Sequence, residues 1–168
     1  MENKNLIIDQ KGIHYKLVRM AYQILEDNYS EEEIHLVGIT SGGEILAKEI
    51  KKQIFKISKI KVEVHQLLID KKNPLASEIT ISTDVNKLEN KVVILVDDVT
   101  NTGKTGFYAF KPLLDINAKS VKMAVLVDRR HKKYPVHSSY VGNTLTTTIQ
   151  EYISVEFENN KAVGVYLS

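Results

Sequence analysis

Two uninterrupted apolar runs constrain the fold of this chain more than any other feature. They extend from Val92 to Val96 and from Val121 to Val127. A half-exposed strand alternates apolar and polar residues, whereas a continuously apolar strand is covered on both faces, as in a parallel sheet between helices. These runs therefore predict the central strands of an α/β sheet.

Helical and extended patterns alternate around these two strands. Apolar residues recur at helical spacing from about Lys11 to Glu26, and a second helix is predicted from Ile45 toward Ile57. The remaining strands are predicted at Ile34 to Ile39, Val62 to Leu67, Tyr140 and Val141, and at Ile153 to Phe157 and Ala162 to Leu167, which pair through an E-N-N-K turn. This order predicts a three-layer α/β fold with a parallel-centred, twisted sheet, in one domain over residues 1–168.

Two stretches are less regular. A helix from about Gly103 to Leu114 contains Pro112, which removes a backbone hydrogen bond, so we expect a bend or an early end there. The polar stretch from Asp70 to Asn90 is long for a connection within a domain. Such a length predicts either a mobile functional loop or a hairpin with weak periodicity.

The composition is that of an ordinary globular protein, with 43% hydrophobic and 26% charged residues among 168. The absence of cysteine excludes disulfides, thiolate metal sites and a cysteine nucleophile. A net charge of +2 is too small to argue for nucleic-acid binding by itself. No apolar run approaches the roughly 20 residues that span a bilayer, and no signal-peptide pattern opens the chain, so we expect a cytoplasmic protein without a membrane partner.

The first apolar strand leads directly into a polar motif. Asp97 and Asp98 follow Val96, and ligands of open α/β sheets bind at the carboxyl ends of the strands. Carboxylates accept hydrogen bonds from sugar hydroxyls, and the loop that follows offers hydroxyls and backbone N–H groups to a phosphate at a helix N-terminus. That loop consists of Val99, Thr100, Asn101, Thr102, Gly103, Lys104 and Thr105. Taken alone, the same residues would also suit a helix cap and a turn.

Two further motifs follow predicted strands. The sequence T-S-G-G, which is Thr40, Ser41, Gly42 and Gly43, comes after the strand that ends at Ile39, and it reads either as a plain turn or as an anion cradle. Asp128 ends the strand Val121 to Val127, so Asp128 and Arg129 are expected on the same rim of the sheet. Arg129 opens a basic run through Lys133, which is usually a solvated turn.

Longer segments resemble the bifunctional pyrimidine operon attenuator and uracil phosphoribosyltransferase family, a branch of the type I phosphoribosyltransferases. Leu36 to Ile50, L-V-G-I-T-S-G-G-E-I-L-A-K-E-I, is similar to the family's L-V-G-I-x-T-R-G-x-x-L-A-x-x-I. Ala124 to Leu145, which contains L-V-D-R-R-H-K-K-Y-P and S-Y-V-G-N-T-L, resembles its L-V-D-R-G-H-R-E-L-P-I-x-x-x-Y-I-G-K-x-I. The strand, acidic pair and loop also match the family's phosphoribosyl-pyrophosphate motif.

The resemblance, which runs from about Ile8 to Phe157, implies a small hood above the sheet and an enzyme of nucleotide metabolism and pyrimidine salvage. This glycosyltransferase, a pentosyltransferase, would move ribose 5-phosphate from phosphoribosyl pyrophosphate to uracil, giving UMP and pyrophosphate. It implies Mg²⁺ carried mainly by the substrate, with no all-protein metal site, and a homodimer or higher homo-oligomer. The stretch Asp70 to Asn90 would be the lid that excludes water from the reaction.

The resemblance also implies a role for each motif. Asp97 and Asp98 would bind the ribose hydroxyls and, with Asp128, form the catalytic group. The loop from Val99 to Thr105 would hold the 5-phosphate. The pyrophosphate would bind at Thr40, Ser41, Gly42 and Gly43, and the base would bind near Arg129, Tyr140 and Val141. The alternative for Tyr140 and Val141 is ordinary strand core.

The chain departs from the family at three places. Gly42 stands where the family has an arginine in the pyrophosphate loop, and Ile69 stands where its lid begins with an arginine. Lys71 or Lys72 is the candidate replacement, although lysine lacks the bidentate fork of arginine. In the first helix, the family's T-R-x-x-H is V-R-M-A-Y here, which keeps only Arg19.

These departures leave other functions open. One is a phosphoribosyltransferase for a purine base. Another is a UMP-sensing, RNA-binding regulator of pyrimidine genes, whose basic face would include Arg19, Arg129, Arg130 and Lys132. A third is a ligand-binding relic that keeps the phosphate loop but does not turn over. The uracil enzyme ranks first because it accounts for both loops and the acidic pair.

Overall fold

A six-stranded sheet forms the centre of the protein in a computed structural model, which describes residues 4–148 and 151–168. The elements, in chain order, are β1 (Asn5–Asp9), α1 (Gln10–Asp27), β2 (Glu33–Ile39), α2 (Thr40–Ile57), β3 (Lys61–Leu68), β4 (Thr80–Ile81), β5 (Val92–Thr100), α3 (Lys104–Ala109), β6 (Ser120–Arg129), β7 (Tyr140–Leu145), β8 (Ile153–Glu158) and β9 (Lys161–Leu167). Short 3₁₀ helices occupy Val85–Leu88 and Lys111–Leu113.

The large sheet has the order β4-β3-β2-β5-β6-β7. All its pairings are parallel except that of β3 with β4. Every residue of β5 from Val92 to Asp97 is buried, which is the pattern expected of a central strand covered on both faces. The α/β class and the parallel centre of the sheet are therefore confirmed.

The two faces of this sheet pack into separate apolar cores. On one face, Leu36 and Ile94 pack in a cluster with residues of α1 and α2, including Ile50. On the other face, Val93 and Leu95 pack with residues of α3 and of the connection between β3 and β5. The sheet thus lies between two covering layers, as the alternation of patterns predicts.

A second, antiparallel sheet has the order β1-β9-β8 and joins the two ends of the described chain. Its β8–β9 hairpin turns at Asn159 and Asn160, whose φ angles are 48° and 58°. Asparagine tolerates this left-handed region, and two such residues in succession suit the twist of a tight hairpin. The predicted pairing of the terminal strands is confirmed, and this small sheet is the hood.

The strands β5 and β6 are longer than their apolar runs. Their parallel register continues through Asp97 with Val125 and Thr100 with Asp128. The acidic residues therefore lie at the end of the strand itself and not in the loop that follows.

Three other stretches can be compared with the sequence-based expectation. The helix α3 ends at Ala109, ahead of Pro112, which confirms the early end. The motif T-S-G-G forms the first turn of α2, which begins at Thr40. The stretch from Asp70 to Asn90 is not one loop, because β4 pairs with β3 and Ile79 and Leu88 are buried. The longest irregular part is residues 70–78, which are mostly exposed and which we call the lid segment.

No helix in residues 4–148 or 151–168 is long and apolar enough to cross a membrane.

The close approach of α2 to β5 depends on Gly43. A Cβ atom at this position would lie 2.2 Å from the carbonyl oxygen of Val96, which is backbone and cannot rotate away. Gly43→Ala should therefore lower the free energy of unfolding by about 2 kcal/mol or more, by overpacking. Denaturant unfolding checks this, with Ser41→Ala, an exposed change in the same helical turn, as the control. Equal denaturant concentrations at the unfolding midpoints of the two variants would contradict this close packing of α2 against β5.

Candidate active site

The carboxyl ends of β5 and β6 open into a cavity of about 360 Å³. Its floor contains Asp97 and Asp98, and its wall contains Arg129. The hood closes the opposite side with the first residues of β8 and the residue before them. The lining residues are Lys71, Asp97, Asp98, Val99, Thr100, Asn101, Thr102, Gly103, Lys104, Thr105, Gly106, Arg129, Tyr152, Ile153, Ser154 and Val155. The carboxylate pair, the loop after it and Arg129 are thus brought together.

Lys71 joins the lid segment to the carboxylate pair. Its Nζ donates to Asp97 Oδ1 at 2.8 Å and to Asp98 Oδ1 at 3.2 Å. The Asp97 side chain is only 1% exposed, while that of Lys71 is 37% exposed. One ammonium therefore bridges both carboxylates from the solvent side. A second contact runs from α3 to the lid segment, where Lys104 Nζ donates to the carbonyl oxygen of Lys72 at 3.1 Å. Two lysines therefore hold the lid segment against the site.

Asp97, Asp98 and Lys71 shift one another's pKa values. Burial and the neighbouring Asp98 raise the pKa of Asp97 to about 8. Burial also opposes ionisation of Asp98, but the Lys71 ammonium, a hydrogen bond with Asp97 and the Val99 N–H outweigh it and lower the pKa of Asp98. Burial opposes the charge on Lys71 as well, yet the two carboxylates raise its pKa to about 12. At neutral pH the site thus holds an ammonium, one carboxylate and one carboxyl group that retains its proton.

The loop between β5 and α3 is held open by contacts with the segment after β6. Gly103 has a φ of 81°, which favours glycine, and a Cβ there would lie 3.3 Å from the Tyr134 carbonyl oxygen. The Thr102 carbonyl accepts the N–H groups of Lys133 and Tyr134 at 2.8 and 3.1 Å. Because α3 has only six residues, the loop itself, with its hydroxyls and N–H groups, is the part suited to a phosphate.

Arg129 is buried, with 6% of its surface exposed, and is held by neutral partners. Its Nε donates to Thr147 Oγ1 at 2.6 Å, and its Nη1 donates to Asn101 Oδ1 at 3.1 Å. The adjacent Asp128 pairs with Lys132 and does not line the cavity. Arg129 therefore faces the cavity. The position of Asp128 does not support its predicted place in the catalytic group.

The motif T-S-G-G lies beside the carboxylates but does not line their cavity. Gly42 is buried, and a Cβ there would lie 3.0 Å from Asp98 Oδ2 and 3.3 Å from the Phe157 ring. The arginine of the resembling family would thus require Phe157 to move. Ser41 lines a different groove along α2, and Thr40 has a φ of 55°, a strained conformation for a β-branched residue.

Tyr140 lies in the core and not in the cavity. Its side chain is 2% exposed, and its hydroxyl donates to Asp27 Oδ2, at the end of α1, at 2.9 Å. It pairs in register with Ala124, four residues before Asp128 on β6, and Val141 pairs with Val125. Both residues therefore sit well below the rim of the sheet. The strand-core interpretation fits them, and this position does not favour the predicted base contact.

Five residues that line the cavity were not predicted from the sequence as site residues: Gly106, Tyr152, Ile153, Ser154 and Val155. The last four lie just before β8 and at its start, on a sheet formed by the two ends of the chain. No local pattern indicates where such a hairpin docks. The sequence indicates Lys71 only as a replacement for an arginine, because its bridge to the carboxylates depends on the folding of the lid segment.

The comparisons with known proteins agree with this geometry. The model of the phosphoribosyl transferase domain matches residues 6–159. The Bifunctional protein PyrR of Clostridium kluyveri is 36% identical over 162 residues, covering 93% of this chain and 92% of that protein. The protein of the same name from Bacillus pumilus is 33% identical over 181 aligned positions, covering 99% of each.

Solved structures share the fold. The hypoxanthine-guanine phosphoribosyltransferase of Bacillus anthracis superposes with a TM-score of 0.73 at 24% identity, covering 87% of this chain and 85% of that one. The hypoxanthine phosphoribosyltransferase of Trypanosoma cruzi gives 0.77 at 15% identity, covering 95% of each chain. The chain is thus a phosphoribosyltransferase, an enzyme of the pentosyltransferase class. Within that class, it belongs to the family of the bifunctional PyrR proteins.

The raised pKa of Asp97 makes the stability of the protein depend on pH. The folded form holds the Asp97 proton to about pH 8, whereas an ordinary aspartate releases it near 3.8. This proton therefore stabilises the fold fully below about pH 4, and the contribution is lost as pH rises to 8. The unfolding free energy of the wild type minus that of Asp97→Asn should therefore fall between pH 5 and 8. Above pH 8 this difference should stay constant.

Urea unfolding at each pH checks this prediction. The exposed Asp115→Asn should follow the wild type throughout. A constant difference between wild type and Asp97→Asn over this range would show that Asp97 ionises normally in the folded protein.

Proposed function

We propose that this protein transfers ribose 5-phosphate from phosphoribosyl pyrophosphate to uracil, yielding UMP and pyrophosphate. The observation that carries the proposal is the shared cavity of Asp97, Asp98 and the loop Val99–Thr105. Uracil is the proposed base because relatives that match nearly the whole chain are bifunctional PyrR proteins, and because the chain resembles the family of pyrimidine attenuators and uracil phosphoribosyltransferases.

The substrate would lie across the ends of β5 and β6. Its 5-phosphate would accept hydrogen bonds from the N–H groups and hydroxyls of the loop Val99–Thr105. The ribose hydroxyls would then donate to Asp97 and Asp98, which requires them to take the place of the Lys71 ammonium. A lysine released from the carboxylates returns toward its ordinary pKa of 10.5, so the side chain stays charged at neutral pH and is suited to the pyrophosphate.

The pyrophosphate would leave toward the first turn of α2. Thr40, Ser41, Gly42 and Gly43 remain the proposed cradle, since Gly42 borders Asp98. Lys71 would supply the positive charge that an arginine supplies in the resembling family. A lysine gives a point charge without the bidentate geometry, so we expect slower turnover than an arginine-bearing loop allows.

The reaction needs no protein nucleophile. Breaking the bond to pyrophosphate leaves positive charge on the sugar, and the ionised Asp98 stabilises that charge at short range. Asp97 and the phosphate loop fix the sugar so that the base approaches the anomeric carbon from the side opposite the leaving group. The lid segment, residues 70–78, excludes water while this cation exists.

Mg²⁺ would enter with the substrate. Asp97 and Asp98 are the hard oxygen donors that this ion prefers, yet no cluster of three or more such ligands occurs in the part of the chain that the structure describes. The residues fit an ion held mainly by phosphate and sugar oxygens. When bound, it neutralises charge on the leaving pyrophosphate. Dimer or higher assembly and a cytoplasmic location stay predictions.

Pyrophosphate release from phosphoribosyl pyrophosphate and Mg²⁺ tests the proposal directly. Uracil should support turnover, whereas hypoxanthine, guanine, xanthine, adenine and orotate should not. Turnover with a purine would keep the mechanism and replace the base. Binding of phosphoribosyl pyrophosphate without turnover by any base would identify a regulator or a relic.

Asp98→Asn should abolish most of this turnover while the fold persists. The amide cannot stabilise the sugar cation, so kcat should fall by on the order of 10²-fold. Asp115→Asn is the matched control at an exposed site. Circular dichroism confirms folding in each case. Retention of wild-type kcat by Asp98→Asn would remove Asp98 from the mechanism.

An RNA-binding regulatory activity is a second proposal, supported by the family of bifunctional relatives. The guanidinium of Arg19, however, donates to the backbone carbonyl oxygens of Val141 and Gly142, so it already has partners on β7. Arg130 and Lys133 are exposed and are the better candidates for phosphate contacts.

UMP should strengthen binding of pyrimidine-leader RNA over scrambled RNA in a filter-binding assay. Replacing both Arg130 and Lys133 by alanine should weaken this binding and flatten its dependence on salt by about one unit of slope per lost contact. Equal affinity for scrambled RNA at low salt would end the regulatory proposal.

A further inference from the structure

The first helix, α1, carries a second apolar face besides the one that packs in the core. The core face consists of Ile13, Leu17, Met20, Ala21 and Ile24. On the outer side, Tyr15 and Tyr22 are 60% and 56% exposed, and Tyr29, just past the helix, is 88% exposed. Val18 and Leu25, which are partly exposed, lie between these rings in the sequence. We call these five residues, from Tyr15 to Tyr29, the outer stripe.

The outer stripe has the spacing of a seam between two helices. Its members follow one another at intervals of three, four, three and four residues. This alternation is that of the a and d positions at which paired helices interlock. A helix that packs only on its own domain needs one apolar face, and the core face of α1 already serves that purpose. The outer stripe is therefore suited to a helix from outside the domain.

Two members of the outer stripe replace polar residues of the resembling family. Where that family reads T-R-x-x-H, this chain has Val18 and Tyr22 around Arg19. The middle of the helix surface is thereby apolar and aromatic. Aromatic side chains are enriched, and most charged ones depleted, at the centre of protein–protein contacts, where arginine is also common. The difference from the family thus favours a protein partner on this face.

The charges beside the outer stripe make it complementary to itself. Lys11 and Arg19 each lie four residues from Tyr15, and Glu26 lies four residues after Tyr22, so all three border the stripe. Two copies of α1 packed in opposite directions would bring the basic half of each beside the acidic end of the other. Parallel packing would put like charges together. Antiparallel packing is also the arrangement that a two-fold axis across the helices produces.

The cations of this face are poorly placed for a nucleic acid. The Arg19 guanidinium donates to two backbone carbonyl oxygens of β7. Lys16 Nζ donates to Asn143 Oδ1, also on β7, at 3.1 Å. The end of the stripe carries Glu26, which repels phosphates. A second copy of the chain satisfies both the apolar surface and the charge pattern, whereas a polyanion satisfies neither.

We infer that the outer stripe of α1 is the contact surface for a second copy of this chain, packed antiparallel about an axis near the middle of the helix. The 18 residues of α1 span roughly 27 Å, so the surface is small. Interfaces at the low end of the size range are weak or transient. We therefore expect a reversible dimer with a dissociation constant on the order of micromolar. The dimer requires no substrate, so the inference does not rest on the proposed function.

Sedimentation velocity of the full chain at rising protein concentration measures this association. The wild type should shift from monomer to dimer in the micromolar range. The double variant Val18→Thr/Tyr22→His, which restores the polar residues of the resembling family, should weaken the dimer by about 10-fold or more, because central tyrosines dominate interface energies. Phe55→Ser, at an aromatic residue of α2 that is 83% exposed, is the matched control and should leave the dissociation constant unchanged. Circular dichroism confirms folding of each variant.

Disulfide cross-linking tests the direction of packing. The chain has no cysteine, so introduced thiols have no competitor. In an antiparallel dimer, position 15 of one copy lies beside position 26 of the other, so a mixture of Tyr15→Cys and Glu26→Cys should cross-link. Either variant alone would hold its two thiols about 16 Å apart along the helix axis. That separation exceeds the reach of a disulfide, roughly 7 Å between Cα atoms, so neither variant alone should cross-link.

Three results would overturn the inference. One is a wild type that stays monomeric at every concentration, and RNA binding lost by the Val18→Thr/Tyr22→His variant of such a monomer would assign the face to a nucleic acid instead. Another is a dimer that Phe55→Ser weakens and the α1 double variant does not. The third is cross-linking of Tyr15→Cys or Glu26→Cys alone without cross-linking between them.

Discussion

The burial of two adjacent carboxyl groups at the end of β5 is the constraint on which the rest of the site depends. Asp97 is almost completely enclosed and Asp98 is its direct neighbour, so Asp97 keeps its proton at neutral pH and Asp98 ionises only beside a compensating cation. Lys71 supplies that cation from the lid segment. The acidic pair thereby determines where the lid segment rests.

The same constraint shapes the surrounding backbone. The Val99 N–H donates to Asp98, which fixes the start of the phosphate loop, and Gly42 leaves just enough space beside Asp98 for α2 to begin. Lys104 then returns a hydrogen bond from the helix after the loop to the lid segment. Lid, loop and α2 therefore meet around one charged cluster. A ligand that replaces Lys71 on the carboxylates changes the contacts of all three.

The sequence predicted the features that depend on local patterns. Continuous apolar runs located β5 and β6, and the acidic pair with its polar loop located the cavity. Long-range packing determined the rest. The docking of β8 over the cavity depends on pairing between the two ends of the chain, which no local pattern encodes. Tyr140 matched a family segment by type, but its register on β6 and its bond to Asp27 place it in the core.

The most direct test of the account is a crystal structure with phosphoribosyl pyrophosphate and Mg²⁺. The account predicts a 5-phosphate on the N–H groups of Val99–Thr105, ribose hydroxyls on Asp97 and Asp98, and Lys71 displaced toward the pyrophosphate. A substrate bound elsewhere, with Lys71 still between the two carboxylates, would contradict it.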